Sequence, residues 1–215
     1  RFFGPDEGVA VGEATPDFPT GVLTTQDGGE TWLPAPGKRA AGWHAAAFTE
    51  FNDGIVVGPR GSVSLVAGTN VAPPRLDASS LRGIRAVDST DGLTAWAVGD
   101  GATVLSSSNG GVSWKALNAS FPPELSRFVD FAAVSAVNSK VWVAGNPGSC
   151  VWHSRDGGTV WTRQATGHST PIHALNFSTE ETGFAVGAFG TILRTTDGGS
   201  SWTVCRAGRR RAAIL

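Results

Sequence analysis

Tyrosine is absent from this chain of 215 residues, and so is methionine. The first absence excludes a tyrosine nucleophile of the kind sialidases use. The second leaves the chain without an initiator, so its first residue is expected to lie downstream of the translational start. Cysteine is limited to Cys150 and Cys205. No CxxC or His/Cys spacing of a zinc site occurs, so neither a metal nor any other cofactor is expected. No apolar run approaches the roughly 20 residues that a membrane-spanning helix needs, and no stretch reads as a signal peptide. Charged residues make up only 16% and nearly cancel, to a net charge of −1. That balance argues against a nucleic-acid partner, whose phosphates demand a basic surface. No glycine-rich stretch leads into a helix pattern, so a nucleotide phosphate site is not supported.

What is plentiful is glycine, with 29 residues, beside few charges. This combination favours a β-rich, turn-rich protein over a helical one. The glycines are not scattered. Thr195-x-Asp197-x-Gly199-x-x-Trp202 recurs as Thr25-x-Asp27-x-Gly29-x-x-Trp32 and Ser154-x-Asp156-x-Gly158-x-x-Trp161. A fourth copy, Ser107-x-Asn109-x-Gly111-x-x-Trp114, has asparagine for aspartate. β-prone residues flank each copy, which is a hairpin signal. The carboxylate or amide can accept N–H bonds within its own turn, glycine supplies a positive φ, and the tryptophan covers the turn. Asp27, Asn109, Asp156 and Asp197, with Trp32, Trp114, Trp161 and Trp202, are therefore read as a structural device. They are poor catalytic or metal candidates, because each acid already has backbone donors to satisfy.

The motif tryptophans are separated by 82, 47 and 41 residues (114−32, 161−114, 202−161). The first gap holds a degenerate unit, Gly54–Val66, that lacks the Asp-turn. This makes five units of 41–47 residues, each with four short strand candidates, A to D. In the last unit these are Ile172–Phe177, Phe184–Val186, Thr191–Thr195 and Ser201–Cys205. Four strands per such period is the pattern of a β-propeller blade. The expected fold is all-β, with residues 1–205 forming one propeller or propeller segment and 206–215 a disordered basic tail. Only Arg1–Gly4 precede strand B of the first unit, so its strand A should be rudimentary. Trp96, Trp142 and Phe184 share one repeat position with Val9 and Ile55, and inter-blade packing is expected of all five. His44 and His173 read as strand-A polar positions, and Cys150 as a buried small hydrophobe, with a bond to Cys205 as the alternative.

Residues 183–202 resemble, nearly throughout, the repeats of the photosystem II stability/assembly factor family and its bacterial relatives. Residues 95–114 and 141–161 match with substitutions, and 8–32 with an insertion after Gly12. The Asp-turn alone is less specific, since it also occurs in sialidases, some glucan hydrolases and sortilin-like receptors. The resemblance implies a seven-bladed ring, of which five units would be a part. It implies a non-enzymatic assembly chaperone with a protein partner, a photosystem II subunit or precursor. It also implies a place in the thylakoid lumen or its periplasmic or secreted counterpart. The alternative is a carbohydrate-binding or glycoside-hydrolase-related Asp-turn propeller.

Charge sorts by loop. In a four-stranded blade the D–A and B–C loops share one face and the A–B and C–D loops the other. The first face carries Lys38 and the candidate binding residues Arg39, Arg60, Arg75, Arg127 and Arg163, diluted by Glu13, Asp17, Asp77, Asp100 and Glu124. The second carries Glu50, Asp53, Asp88, Asp91, Glu180 and Glu181 against Lys140. Arginine suits directional bonds to carboxylates. An arginine-bearing docking face is the expectation, against the plainer reading of solvated loop charges.

Overall fold

The computed structural model describes residues 1–51, 53–68, 70–73, 75–76, 82–117, 121 and 125–205. The tail at 206–215, Asp77 and Glu124 lie outside them. Five antiparallel sheets follow one another along the chain. The first has three strands, β1 (Gly8–Val11), β2 (Val22–Thr25) and β3 (Leu33–Pro34). The second has β4 (Ala45–Glu50), β5 (Asp53–Val57), β6 (Ser62–Ala67) and β7 (Asn70–Val71), with β8 (Arg75–Leu76) pairing back onto β6. The third comprises β9 (Ile84–Ser89), β10 (Ala95–Gly99), β11 (Thr103–Ser107) and β12 (Lys115–Ala116). The fourth comprises β13 (Asp130–Val137), β14 (Lys140–Asn146), β15 (Cys150–Ser154) and β16 (Thr162–Ala165). The fifth comprises β17 (Ile172–Phe177), β18 (Gly183–Gly187), β19 (Ile192–Thr195) and β20 (Thr203–Val204). One turn of helix, α1 (Leu125–Phe128), precedes β13. No helix among the described residues is long and apolar enough to cross a membrane.

Each sheet runs A-B-C-D from its inner to its outer edge, and the A strands β4, β9, β13 and β17 pack in succession. The first unit keeps a remnant of strand A. Arg1 and Val9 exchange backbone bonds, and Phe2 bridges to Gly8. Gly183 has no side chain because a Cβ there would meet the Phe177 ring at 2.6 Å.

Side chains alternate across each strand, so every sheet has a face toward the next sheet and a face toward the previous one. Between the third and fourth sheets, Trp96, Val98 and Val104 meet Phe131, Val141, Val143 and Trp161. Between the fourth and fifth, Trp142, Ala144 and Val151 meet Ile172, Phe177, Ala185 and Leu193. Trp142 stacks on Phe177 at 3.8 Å and its Nε1 donates to Gly198 O at 2.9 Å. Phe184 departs from the expectation of inter-blade burial. It is 43% exposed, with Val186 at 41% and Ile192 at 42%. The repeat position is the same, but among the described residues no further sheet covers that face.

The four Asp-turns share one construction. Thr195 Oγ1 donates to Asp197 Oδ1 (2.8 Å) and accepts from the buried Gly199 N (2.8 Å). Thr25, Ser107 and Ser154 do the same in the other copies. The carboxylate then spans the turn, Asp197 accepting from Ser201 N and Ser201 Oγ and Asp27 from Thr31 N and Thr31 Oγ1. The Thr31 hydroxyl, then the Thr31 N–H and the Thr25 hydroxyl, draw Asp27 down to about 2. Asp156, bonded to Val160 N and the Ser154 hydroxyl, and Asp197, bonded to the Ser201 hydroxyl and N–H, are also lowered. Trp114 and Trp161 close their turns by donating to Gly111 O and Gly158 O.

Candidate functional site: the arginine-bearing end of the sheets

The B–C connections, the ends of the D strands and the starts of the A strands fall at one end of each sheet. Four of the five candidate arginines, Arg39, Arg60, Arg75 and Arg127, have their backbone there. Arg39 lies between β3 and β4 and is exposed. Arg60 is the apex of the connection from β5 to β6, exposed, at φ 56°. Arg127 is exposed on α1, between the fourth strand of one sheet and the first of the next. Arg75 and Arg163 are not loop residues, contrary to the sequence reading. Arg75 stands on β8 opposite Val63, at the start of β6. Arg163 stands on β16 opposite Trp152, and its Nε reaches Cys150 Sγ at 2.8 Å, at the start of β15. For Arg163 the strand placement still serves the face, because this contact carries the side chain toward the B–C connection.

Sequence reasoning missed part of this end. Arg85, at the start of β9, pairs with Asp100 and lies 3.9 Å from Asp130. Asp130 also accepts from Gly101 N at 2.8 Å, and Arg82 donates to Gly101 O. Asp130 is therefore a further acid on the arginine-bearing face. Its place as the first residue of a strand A was the available signal. His44 Nδ1 meets Ile84 O at 2.8 Å, tying the second sheet to the third. Cys150 and Cys205 are both free and half-buried, so the alternative of a bond between them is not realised.

Several acids of the opposite face are internally committed. Glu180 pairs with Lys140 at 2.7 Å and accepts from Asn138, and these bonds hold it below its ordinary range. Asp88 accepts from Ala136 N of the neighbouring sheet, and its burial pushes its pKa up. Asp91 caps Thr94 N and Leu93 N, which lowers it. Glu50 and Asp53 face each other across β4 and β5 as strand residues rather than loop residues.

Residues 77–174 match the family model described as photosynthesis system II assembly factor YCF48. The photosystem II assembly lipoprotein Ycf48 of Synechococcus sp. (strain CC9902) is 31% identical over 121 residues, 54% of this chain and 34% of that protein. Residues 77–174 are thus similar to the repeats of that family. Among solved structures, YCF48 bound to D1 peptide superposes with a TM-score of 0.64 at 17% identity, covering 94% of this chain and 65% of that one. An ancestral GH74 enzyme superposes with a TM-score of 0.64, also at 17% identity, covering 94% of this chain and 32% of the enzyme. At such identities both likenesses speak for the propeller fold. The chain spans about a third of the length of the curated relative (34%). In this fold the Asp-turns are the structural frame, and the arginine-bearing end is the candidate contact surface.

Proposed function

We infer that this chain is a non-enzymatic protein-binding scaffold that acts in the assembly of photosystem II. Its partner is an acidic segment of a photosystem II subunit or precursor, docked on the arginine-bearing end. The observation that supports this reading is that the segments bearing Arg39, Arg60, Arg75 and Arg127 fall at one end of the sheets and that the Arg163 side chain reaches the start of β15 at that end. Guanidinium groups form directional, charge-assisted bonds with carboxylates. Exposed pairs contribute little singly, so capture depends on the set and on electrostatic steering. The relatives named for photosystem II assembly, and the structural neighbour solved with a D1 peptide, support the choice of partner. The lipoprotein name of the cyanobacterial relative supports a site of action in the thylakoid lumen, the periplasm or outside the cell.

The test is a pull-down with D1 peptide as bait. Replacing Arg60, Arg127 and Arg163 together by Glu should abolish or strongly weaken capture. Reversing Glu50, Asp53 and Glu180 should do much less. Loss of capture in the second variant with retention in the first would reverse the assignment of the face. The glycosidase alternative needs a free pair of acids across one face; of the acids at this end, Asp100 and Asp130 are engaged by Arg85 and so do not supply one.

A further inference from the structure

A pocket of about 310 Å³ opens beside Arg163, at the arginine-bearing end of the fourth sheet. Its walls come from separate segments: Val129 just before β13 and Phe131 at its start, Pro147 from the β14–β15 connection, Cys150 and Trp152 on β15, and Arg163 on β16. Apart from Arg163 these walls are apolar. Phe121 packs edge-on against Trp152 at 5.4 Å and at a tilt against Phe131 at 5.6 Å, which holds the two rings in place. Asp130, the acid beside the wall in sequence, is already engaged by Gly101 N and Arg85. The Arg163 guanidinium donates its Nε to Cys150 Sγ, and Arg163 enters no ion pair among the described residues. A thiol sulfur is a weak acceptor, so this contact leaves a guanidinium that a carboxylate would satisfy far better. A polar side chain in the pocket would lose its water for walls that offer it no partner.

We propose that this pocket is a specificity site of the docking face, taking one large apolar side chain, aromatic or leucine, that neighbours a carboxylate in the bound segment. The carboxylate pairs with Arg163, and the apolar group fills the space between Trp152, Phe131 and Pro147. The inference rests on the acidic-segment reading above and adds a sequence requirement to it. The arginines alone would accept any acidic stretch, whereas the pocket selects those with a bulky apolar residue beside an acid.

Three blocked hexapeptides test it on the full chain carrying Cys205→Ser, so that Cys150 is the single thiol. Their cores are Glu-Phe-Glu, Glu-Ala-Glu and Gln-Phe-Gln, padded with alanine. Calorimetry should show Glu-Phe-Glu binding at least about tenfold tighter than either of the others, as expected for one buried ring or one charge-assisted contact. The same peptide should slow maleimide reaction at Cys150, and Arg163→Gln should shrink its advantage over Gln-Phe-Gln. Equal affinity for Glu-Phe-Glu and Glu-Ala-Glu overturns the pocket and leaves the acidic-segment reading standing. Tight binding without protection of Cys150 puts the ring elsewhere and also overturns it. Failure of both acidic peptides to bind overturns the inference together with the reading beneath it.

Discussion

Removing the hydroxyl of an Asp-turn should cost more than removing its aspartate. In the fifth sheet the contrast is Thr195→Val against Asp197→Ala. Thr195 is 2% exposed, and its Oγ1 is the acceptor for Gly199 N, which is itself buried. Valine keeps the shape and the β preference but leaves that N–H without a partner in a place water does not reach. An unsatisfied buried donor costs about 1–3 kcal/mol. Thr195→Val also takes one bond from the Asp197 carboxylate, so the upper half of that range is expected. Asp197 is exposed, and the Ser201 N–H and hydroxyl that it binds face solvent. Water can replace the carboxylate there, and the cost should stay near about 1 kcal/mol, the net worth of an ordinary hydrogen bond. Thermal unfolding should show Thr195→Val lowering Tm by roughly 4–12 °C and Asp197→Ala by roughly 2–4 °C, at the sensitivity expected for a chain of this size. Urea unfolding should rank them alike. An Asp197→Ala variant less stable than Thr195→Val would refute the claim that the hydroxyl holds the buried end of the turn. Loss of partner capture in Asp197→Ala at unchanged Tm would give the aspartate a chemical role instead.

Stability should fall in two stages on acidification. His153 is buried against Trp142 at 4.7 Å, and burial, then the Arg155 and Lys140 charges, lower it from 6.5 to about 4. Between those values only the unfolded chain takes up the proton, so stability drops as pH falls from 6.5, by about 3 kcal/mol once pH has passed below 4. His153→Gln should flatten this stage in a pH series of urea midpoints. Below about pH 4 the lowered acids Asp27, Asp156 and Asp197 remain charged in the fold while their unfolded counterparts protonate, and a second decline should follow. Trp142→Ala should cost about 3–5 kcal/mol as a buried aromatic truncation. Phe184→Ala, at the same repeat position on the uncovered face, should cost about 1 kcal/mol or less. Equal losses by chemical denaturation would mean that Phe184 is covered in solution.

The repeat architecture was legible because its information is local. A hydroxyl, an acid, a glycine and a tryptophan at fixed offsets specify a turn regardless of what surrounds it, and their period counts the sheets. The end at which Arg39, Arg60 and Arg127 lie was legible for the same reason, since strand alternation alone decides at which end a connection falls, whereas the strand placement of Arg75 and Arg163 was not. The pocket beside Arg163 was not, because its walls are drawn from four separate stretches between Val129 and Arg163. Nor was the exposure of Phe184. Trp96, Trp142 and Phe184 occupy one position in the pattern, and burial there is decided by the sheet that follows, not by the residue.

The seating of each sheet on the turn of its successor gives the array a direction. Trp142 hangs its indole on Gly198, Trp96 lies over Gly158, and Ile55 lies over Gly111. In each case the side chain belongs to one sheet and the support to the next. A lesion in a turn is thus felt upstream of where it occurs. Loosening the turn at Asp197 should raise amide exchange in β14 of the fourth sheet, on the N-terminal side. The same lesion at Asp156 should be felt in β10 and spare the fifth sheet's own ladder. Nearest-neighbour coupling of this kind makes the stability of any one unit a property of the unit that follows it.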